Sequence, residues 1–144
     1  MTSRTGEAVW QGDLETGGGT VRLGGGAFSG PYSFKSRFSD SEGITGTSPE
    51  ELIGAAHAAC YSMALSLGLS NAGHPPTRVH TVANVRLERQ DAGFAITRID
   101  LHSEVEAPGI DEESFRAEAE TAKAGCPVSK ALSGTEITLD AKLL

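Results

Sequence analysis

A chain of 144 residues with a formal net charge of −7 has the length for one domain around one core. Its 12 lysines and arginines are scattered without a basic run, which argues against nucleic-acid binding, since that needs a basic footprint. The opening Met1 to Gly6 segment runs into polar sequence with no apolar stretch behind it, so no secretory signal is expected and the chain reads as cytoplasmic. Thiols stay reduced in that compartment, and the two cysteines read as buried and inert, metal-binding, or redox-active.

Residues 6–38 read as a β region. Glu7 to Trp10 suits a short strand, the triplets Gly17-Gly18-Gly19 and Gly24-Gly25-Gly26 are turn material, and Val21 and Leu23 alternate with polar residues. After Gly30-Pro31, the run Tyr32 to Phe38 reads as a strand with Tyr32, Phe34 and Phe38 on one face and Arg37 on the other. Residues 39–47 form a polar loop.

A central helix is predicted over 49–72. Ser48 caps it, Pro49 takes its first position, and Glu50 and Glu51 complement the positive end of the helix dipole. Residues 52–69 carry no formal charge, so the helix is expected to be buried on nearly all sides. On a helical wheel Cys60 lies with Ile53, Ala56, Ala64 and Leu67. The length approaches a membrane span, but His57, Ser62 and Ser66, the acidic flank and the lack of basic or aromatic anchors argue against one. His74-Pro75-Pro76 stops the helix.

A β hairpin is expected over 78–105, turning at Asp91-Ala92-Gly93, with a change of parity at Thr97-Arg98 that marks a bulge. Helices follow at 111–123, capped by Asp111, and at 127–133, opened by Pro127. A strand over 135–143 ends the chain. There are no internal repeats, and the whole of 1–144 reads as a single α+β domain.

Cys60 and Cys126 stand 66 positions apart, which fits neither a CxxC redox motif nor a zinc knuckle. Cys126 sits at a helix N-terminus, where the dipole lowers a thiol pKa, whereas the apolar neighbours of Cys60 raise its own. Taken alone, this makes Cys126 the better-placed thiolate. Cys60 needs a cation brought from elsewhere, with Arg37 and His57 as candidates. A lone histidine on a mostly apolar face is more often a satisfied core residue. His74, His80 and His102 lack metal-ligand spacing and read as surface residues. The glycine triplets lack a phosphate-cradling pattern.

Three stretches carry a family resemblance: Pro49-Glu50-Glu51-Leu52 with Ala55-Ala56-His57-Ala58-Ala59-Cys60, Lys123-Ala124-Gly125-Cys126-Pro127-Val128-Ser129-Lys130, and Tyr32-Ser33-Phe34-Lys35-Ser36-Arg37-Phe38. With them the chain resembles the OsmC (osmotically inducible protein C) family, related to the organic hydroperoxide resistance proteins and closer to the OsmC branch. The resemblance implies an OsmC-like α+β fold, with antiparallel sheets around long central helices in an intertwined homodimer. It implies a thiol-dependent peroxidase acting on organic hydroperoxides and more weakly on hydrogen peroxide. Cys60 would be the peroxidatic thiolate, which reverses the dipole-based ranking. Cys126 would resolve its sulfenic acid as a disulfide. Arg37 would stabilise thiolate and peroxide, and Glu50 would orient Arg37. No metal or bound cofactor is implied; the reductant would be an external dithiol, such as a lipoylated protein.

Glu50 and Cys60 are ten residues apart, about 15 Å along a helix, more than a glutamate side chain spans. If Arg37 and Glu50 serve Cys60, a second chain supplies them or the helix is broken between. Leu52, Ile53, Met63 and Phe38 are candidates for a pocket wall. The rival readings are a redox sensor, a non-catalytic dimer holding an apolar ligand, and a Cys–His hydrolase using His57.

Overall fold

The structure, a computed structural model, describes residues 1–39 and 45–144. The chain divides into two compact units, Met1–Leu52 and Ile53–Leu144. Residues 40–44 of the predicted polar loop lie outside the described residues.

The first unit is an antiparallel meander of β1 (Gly6–Gln11), β2 (Gly18–Leu23) and β3 (Ser29–Tyr32). Asp13 holds the first turn by accepting hydrogen bonds from the Glu15 and Thr16 N–H groups at 3.0 and 2.9 Å. Gly18 and Gly19, expected in a turn, belong to β2 instead. A Cβ at Gly19 would fall 2.5 Å from the Tyr32 ring, so the bare strand leaves room for that ring beside Trp10, their centroids 5.3 Å apart.

The predicted strand over Tyr32 to Phe38 is a second correction. β3 ends at Tyr32, and a short helix α1 (Phe34–Phe38) begins. Ser33 and Ser36 cap it reciprocally: the Ser33 hydroxyl accepts from the Ser36 N–H at 3.1 Å, and the Ser36 hydroxyl accepts from the Ser33 N–H at 2.8 Å. The pattern was ambiguous because Phe34 and Phe38 suit alternation and also the i, i+4 face of a helix, where their rings meet at 4.8 Å. Arg37 is therefore carried by a helix, not by a strand face.

Helix α2 runs unbroken from Pro49 to Asn71. The Ser48 hydroxyl accepts from the Glu51 N–H at 3.1 Å, as its cap position predicts. Its burial is not as expected. His57, Tyr61, Leu65 and Leu69 form a buried face, but Ala55, Ala56, Ala59, Met63 and Leu67 stay exposed in the single chain. Length and composition alone would let this helix cross a membrane, with 28% of its most apolar window buried. An absence of charge marks a surface as apolar; it does not by itself bury that surface within the chain.

The second unit pairs β4 (Arg78–Gln90) with β5 (Gly93–Glu106) in the predicted hairpin. Arg86 pairs with Arg98 and Leu87 with Ile96, which leaves Thr97 as the extra residue of the expected bulge. Helices α3 (Glu112–Gly125) and α4 (Pro127–Ala131) follow, with the Asp111 carboxylate accepting from the Ser114 N–H at 2.8 Å as the α3 cap. They carry the chain back so that β6 (Glu136–Leu143) lies parallel to β5. The second sheet, in the order β4-β5-β6, is thus mixed and not antiparallel throughout. Its core joins Tyr61, Leu65 and Leu69 of α2, Ile99, Leu101 and Val105 of β5, and Phe115 and Ala119 of α3. Asp100 ties its three strands together, binding Arg86 of β4, Arg98 of β5 and Thr138 of β6.

Candidate active site

The four residues singled out in the sequence form two pairs, one in each unit. In the first unit, α1 carries Arg37 and the first turn of α2 carries Glu50. The Arg37 Nη2 donates to Glu50 Oε1 at 2.7 Å, and Nε is shared between both carboxylate oxygens at 3.2 Å each. This is a forked, charge-assisted contact of the kind a guanidinium is shaped for. The Glu50 side chain is 10% exposed and that of Arg37 is 37% exposed, so the carboxylate is the buried anchor and the guanidinium keeps an open side. The Phe38 ring, with its centroid 5.2 Å from the guanidinium carbon, adds a cation–π contact.

In the second unit, Cys60 lies half-buried on α2, beside the exposed Ala59 and Met63, and Cys126 is fully buried at the head of α4. Both are free thiols, and the fold brings them near enough for each to perturb the ionisation of the other. The fold thus closes a separation of 66 positions that spacing alone left open. Burial pushes the Cys60 thiol up, and the Cys126 sulfur raises it further; the Val128 N–H opposes both only in part. Burial also works against ionisation of Cys126, yet its pKa is lowered. The polar surroundings supplied by Cys60, by the Ser129 N–H and hydroxyl and by the Val128 N–H together outweigh that burial. Cys126 is the cap residue of α4; its side chain makes no regular cap hydrogen bond, but the free N–H groups that open the helix favour its anion. Within one chain Cys126 is the better thiolate, as its position at a helix start predicted.

His57, a candidate partner for Cys60, is engaged elsewhere. Its ring is completely buried, and Nε2 lies 2.8 Å from the Ser129 hydroxyl on α4. Among the described residues, its Nδ1 has no hydrogen-bond partner. Burial holds the imidazole below the usual histidine range, which favours the neutral ring. Ser129 was not singled out in the sequence. The signal was present: Cys126 and Ser129 occupy the cap and third positions of α4, which are neighbours at any helix start.

His74 Nδ1 sits 3.3 Å from the Pro108 carbonyl, and His80 and His102 are exposed. Among the described residues no group of three or more His, Cys, Asp or Glu is placed to hold a metal ion. Of the candidate pocket residues, Met63 is 74% exposed, and Leu52, Ile53 and Phe38 are half-buried.

Comparison with known proteins extends this picture. Residues 39–142 match the model of the OsmC-like protein family. The chain is 55% identical to Peroxiredoxin OsmC of Escherichia coli strain K12, over 97% of this chain and 96% of that one. It is 30% identical to the organic hydroperoxide resistance protein OhrA of Bacillus subtilis, over 65% of this chain and 66% of that one. In fold it is similar to the crystal structure of OhrB of Bacillus subtilis, with a TM-score of 0.72 and 23% identity, covering 97% of this chain and 98% of that one.

Proposed function

The chain belongs to the OsmC family and is a peroxidase, and from that premise we propose that it reduces organic hydroperoxides through Cys60, with Cys126 as the resolving thiol. The observation that carries this reading is the nearness of the two free thiols, one half-buried and one buried. The half-buried thiol is the better placed to meet substrate, and the buried one is placed to meet the first.

The Cys60 thiolate attacks the terminal peroxide oxygen. An S–O bond forms, the O–O bond breaks, and the alkoxide leaves as alcohol after taking a proton. The Cys126 thiolate then attacks the sulfenic sulfur, forming the S–S bond and releasing hydroxide, which protonates to water. An external dithiol reduces the disulfide by exchange and becomes a disulfide itself. A lipoylated protein would serve as such a donor. Apolar neighbours around Cys60 favour alkyl hydroperoxides over hydrogen peroxide.

One chain by itself favours the Cys126 anion, so Cys60 requires a cation. The guanidinium of Arg37, steadied by Glu50, has the right chemistry for the thiolate and for the departing oxygen. On the unbroken helix α2, Glu50 lies ten residues from Cys60, about 15 Å along the axis. The reading is therefore a homodimer in which a second copy brings its Arg37 and Glu50 to Cys60. The exposed stripe of Ala56, Ala59, Met63 and Leu67 on α2 is the apolar face such a copy would cover. Within the first unit Val9, Leu23 and Phe28 are also exposed and suit cover by a partner.

The test is peroxide consumption with dithiothreitol as reductant, comparing cumene hydroperoxide with hydrogen peroxide. Wild type should turn over, Cys60→Ser should be inactive, and Cys126→Ser should complete the first oxidation without forming an internal disulfide. Turnover by Cys60→Ser at the wild-type rate would overturn the assignment.

A further inference from the structure

The bond between His57 and Ser129 has no role in the chemistry described so far, yet both residues are buried and Ser129 acts on the resolving cysteine. His57 is completely buried, Ser129 is 5% exposed and Cys126 is completely buried. The 2.8 Å bond joins α2 to α4. The Ser129 hydroxyl lies 2.8 Å from the His57 Nε2, and Ser129 stands at the third position of α4 while Cys126 is its cap, so the same hydroxyl acts on the Cys126 thiol. The hydroxyl has one proton to donate, so its direction depends on the tautomer of His57.

Nδ1, which has no hydrogen-bond partner among the described residues, selects that tautomer. A proton on Nδ1 would be a buried donor with no partner among the described residues, and would carry its full desolvation penalty. A proton on Nε2 leaves only an unpaired acceptor at Nδ1 and gives Nε2–H a partner in the Ser129 oxygen. With that oxygen accepting from the ring, the hydroxyl proton is free to point at sulfur.

We propose that His57 and Ser129 form a directed donor chain, His57 Nε2–H to Ser129 Oγ and Ser129 Oγ–H to Cys126 Sγ, that holds Cys126 as the nucleophile for disulfide closure. In this donor chain Ser129 is the residue that donates to the reacting sulfur and is a catalytic residue of the closing step. His57 acts through Ser129 and is a positioning residue. The inference rests on the assignment of Cys126 as resolving thiol. In the step concerned, Cys126 has already given its proton to solvent. Its sulfur attacks the Cys60 sulfenic acid, the S–S bond forms as the S–O bond breaks, and hydroxide leaves and is protonated to water. The Cys126 sulfur is oxidised and the Cys60 sulfenic sulfur is reduced. The chain stabilises the attacking anion without charging the imidazole, which suits a ring whose burial disfavours the cation. A rapid closure also limits further oxidation of the sulfenic acid to sulfinic acid.

The test follows one equivalent of cumene hydroperoxide through both steps. Cys60 sulfenic acid is read as its dimedone adduct by mass spectrometry, and closure is read as loss of both thiols. In Ser129→Ala the closing rate should fall tenfold or more relative to the first step, and Ser129→Thr, which keeps the hydroxyl, should restore it. His57→Gln should slow closure by threefold or more. A second readout needs no peroxide: in a Cys60→Ser background, the ultraviolet thiolate absorbance of Cys126 at neutral pH should drop when Ser129→Ala is added and persist with Ser129→Thr. Closure by Ser129→Ala within twofold of wild type, with undiminished thiolate absorbance, overturns the donor chain and leaves the peroxidase reading intact. A wild-type protein that forms no Cys60 sulfenic acid overturns the peroxidase assignment, and with it the closing role.

Discussion

Loss of Arg37 tests the peroxidase reading most directly, because the same residue pair can be weighed by stability and by rate. The guanidinium makes one short bond to Glu50 at 2.7 Å and one longer bond shared between both oxygens at 3.2 Å. Hydrogen bonds to charged groups contribute about 1.5–3 kcal/mol each. The Arg37 side chain is 37% exposed, so solvent screening places the short bond near the low end and the shared one below it. The pair is then coupled by about 2 kcal/mol, a roughly 30-fold effect. The assay is the single-turnover oxidation of Cys60 by cumene hydroperoxide in wild type, Arg37→Ala, Glu50→Gln and the double variant. Arg37→Ala should slow the first step by about 10²–10³-fold, the loss expected when one donor to a developing oxyanion is removed. Glu50→Gln, which keeps the shape and removes the charge, should slow it by roughly 10–30-fold. If Glu50 acts only by holding the guanidinium, the double variant is no slower than Arg37→Ala. Thermal unfolding of each variant separates rate from folding. Oxidation of Cys60 in Arg37→Ala at the wild-type rate would refute the reasoning, and multiplying losses in the double variant would show that Glu50 acts by itself.

Two further outcomes follow from other parts of the molecule. The Thr138 hydroxyl and the Arg98 and Arg86 guanidiniums hold the Asp100 carboxyl far below the usual carboxylate range. A depressed folded pKa stabilises the protein above the unfolded value of about 3.9, and the contribution is lost as pH falls through the folded value. Asp100→Asn should therefore destabilise the protein at neutral pH, and urea melts at neutral and acid pH should show that gap narrowing below about pH 4; an unchanged gap would mean that the ionised carboxylate does not tie the strands. At the exposed stripe on α2, Leu67 is 63% exposed in the single chain. Leu67→Asp would place an unpaired charge in the proposed interface, so sedimentation should show a dimer for wild type and a monomer for the variant. A wild type that sediments as a monomer would remove the proposed source of the guanidinium.

Signals confined to one helical turn or one hairpin were legible in the sequence. Ser48 and Pro49 marked the start of α2, Asp111 capped α3, Pro127 opened α4, and the parity change at Thr97 located the bulge. These depend on groups within a few residues of one another, so local chemistry settles them. The better thiolate of a single chain was legible for the same reason, since the head of α4 lies next to Cys126. The run Tyr32 to Phe38 escaped because two aromatics four apart satisfy a strand and a helix alike, and the Ser33–Ser36 caps tipped the balance. Only the tertiary structure decided what depends on distant partners. It set β6 parallel to β5 through the return of α3 and α4, and it left one face of α2 bare although no charge marks it. It also brought Cys60 to Cys126 and His57 to Ser129, 66 and 72 positions away. No periodicity encodes such pairings, because a buried contact between α2 and α4 depends on how both dock on the same core.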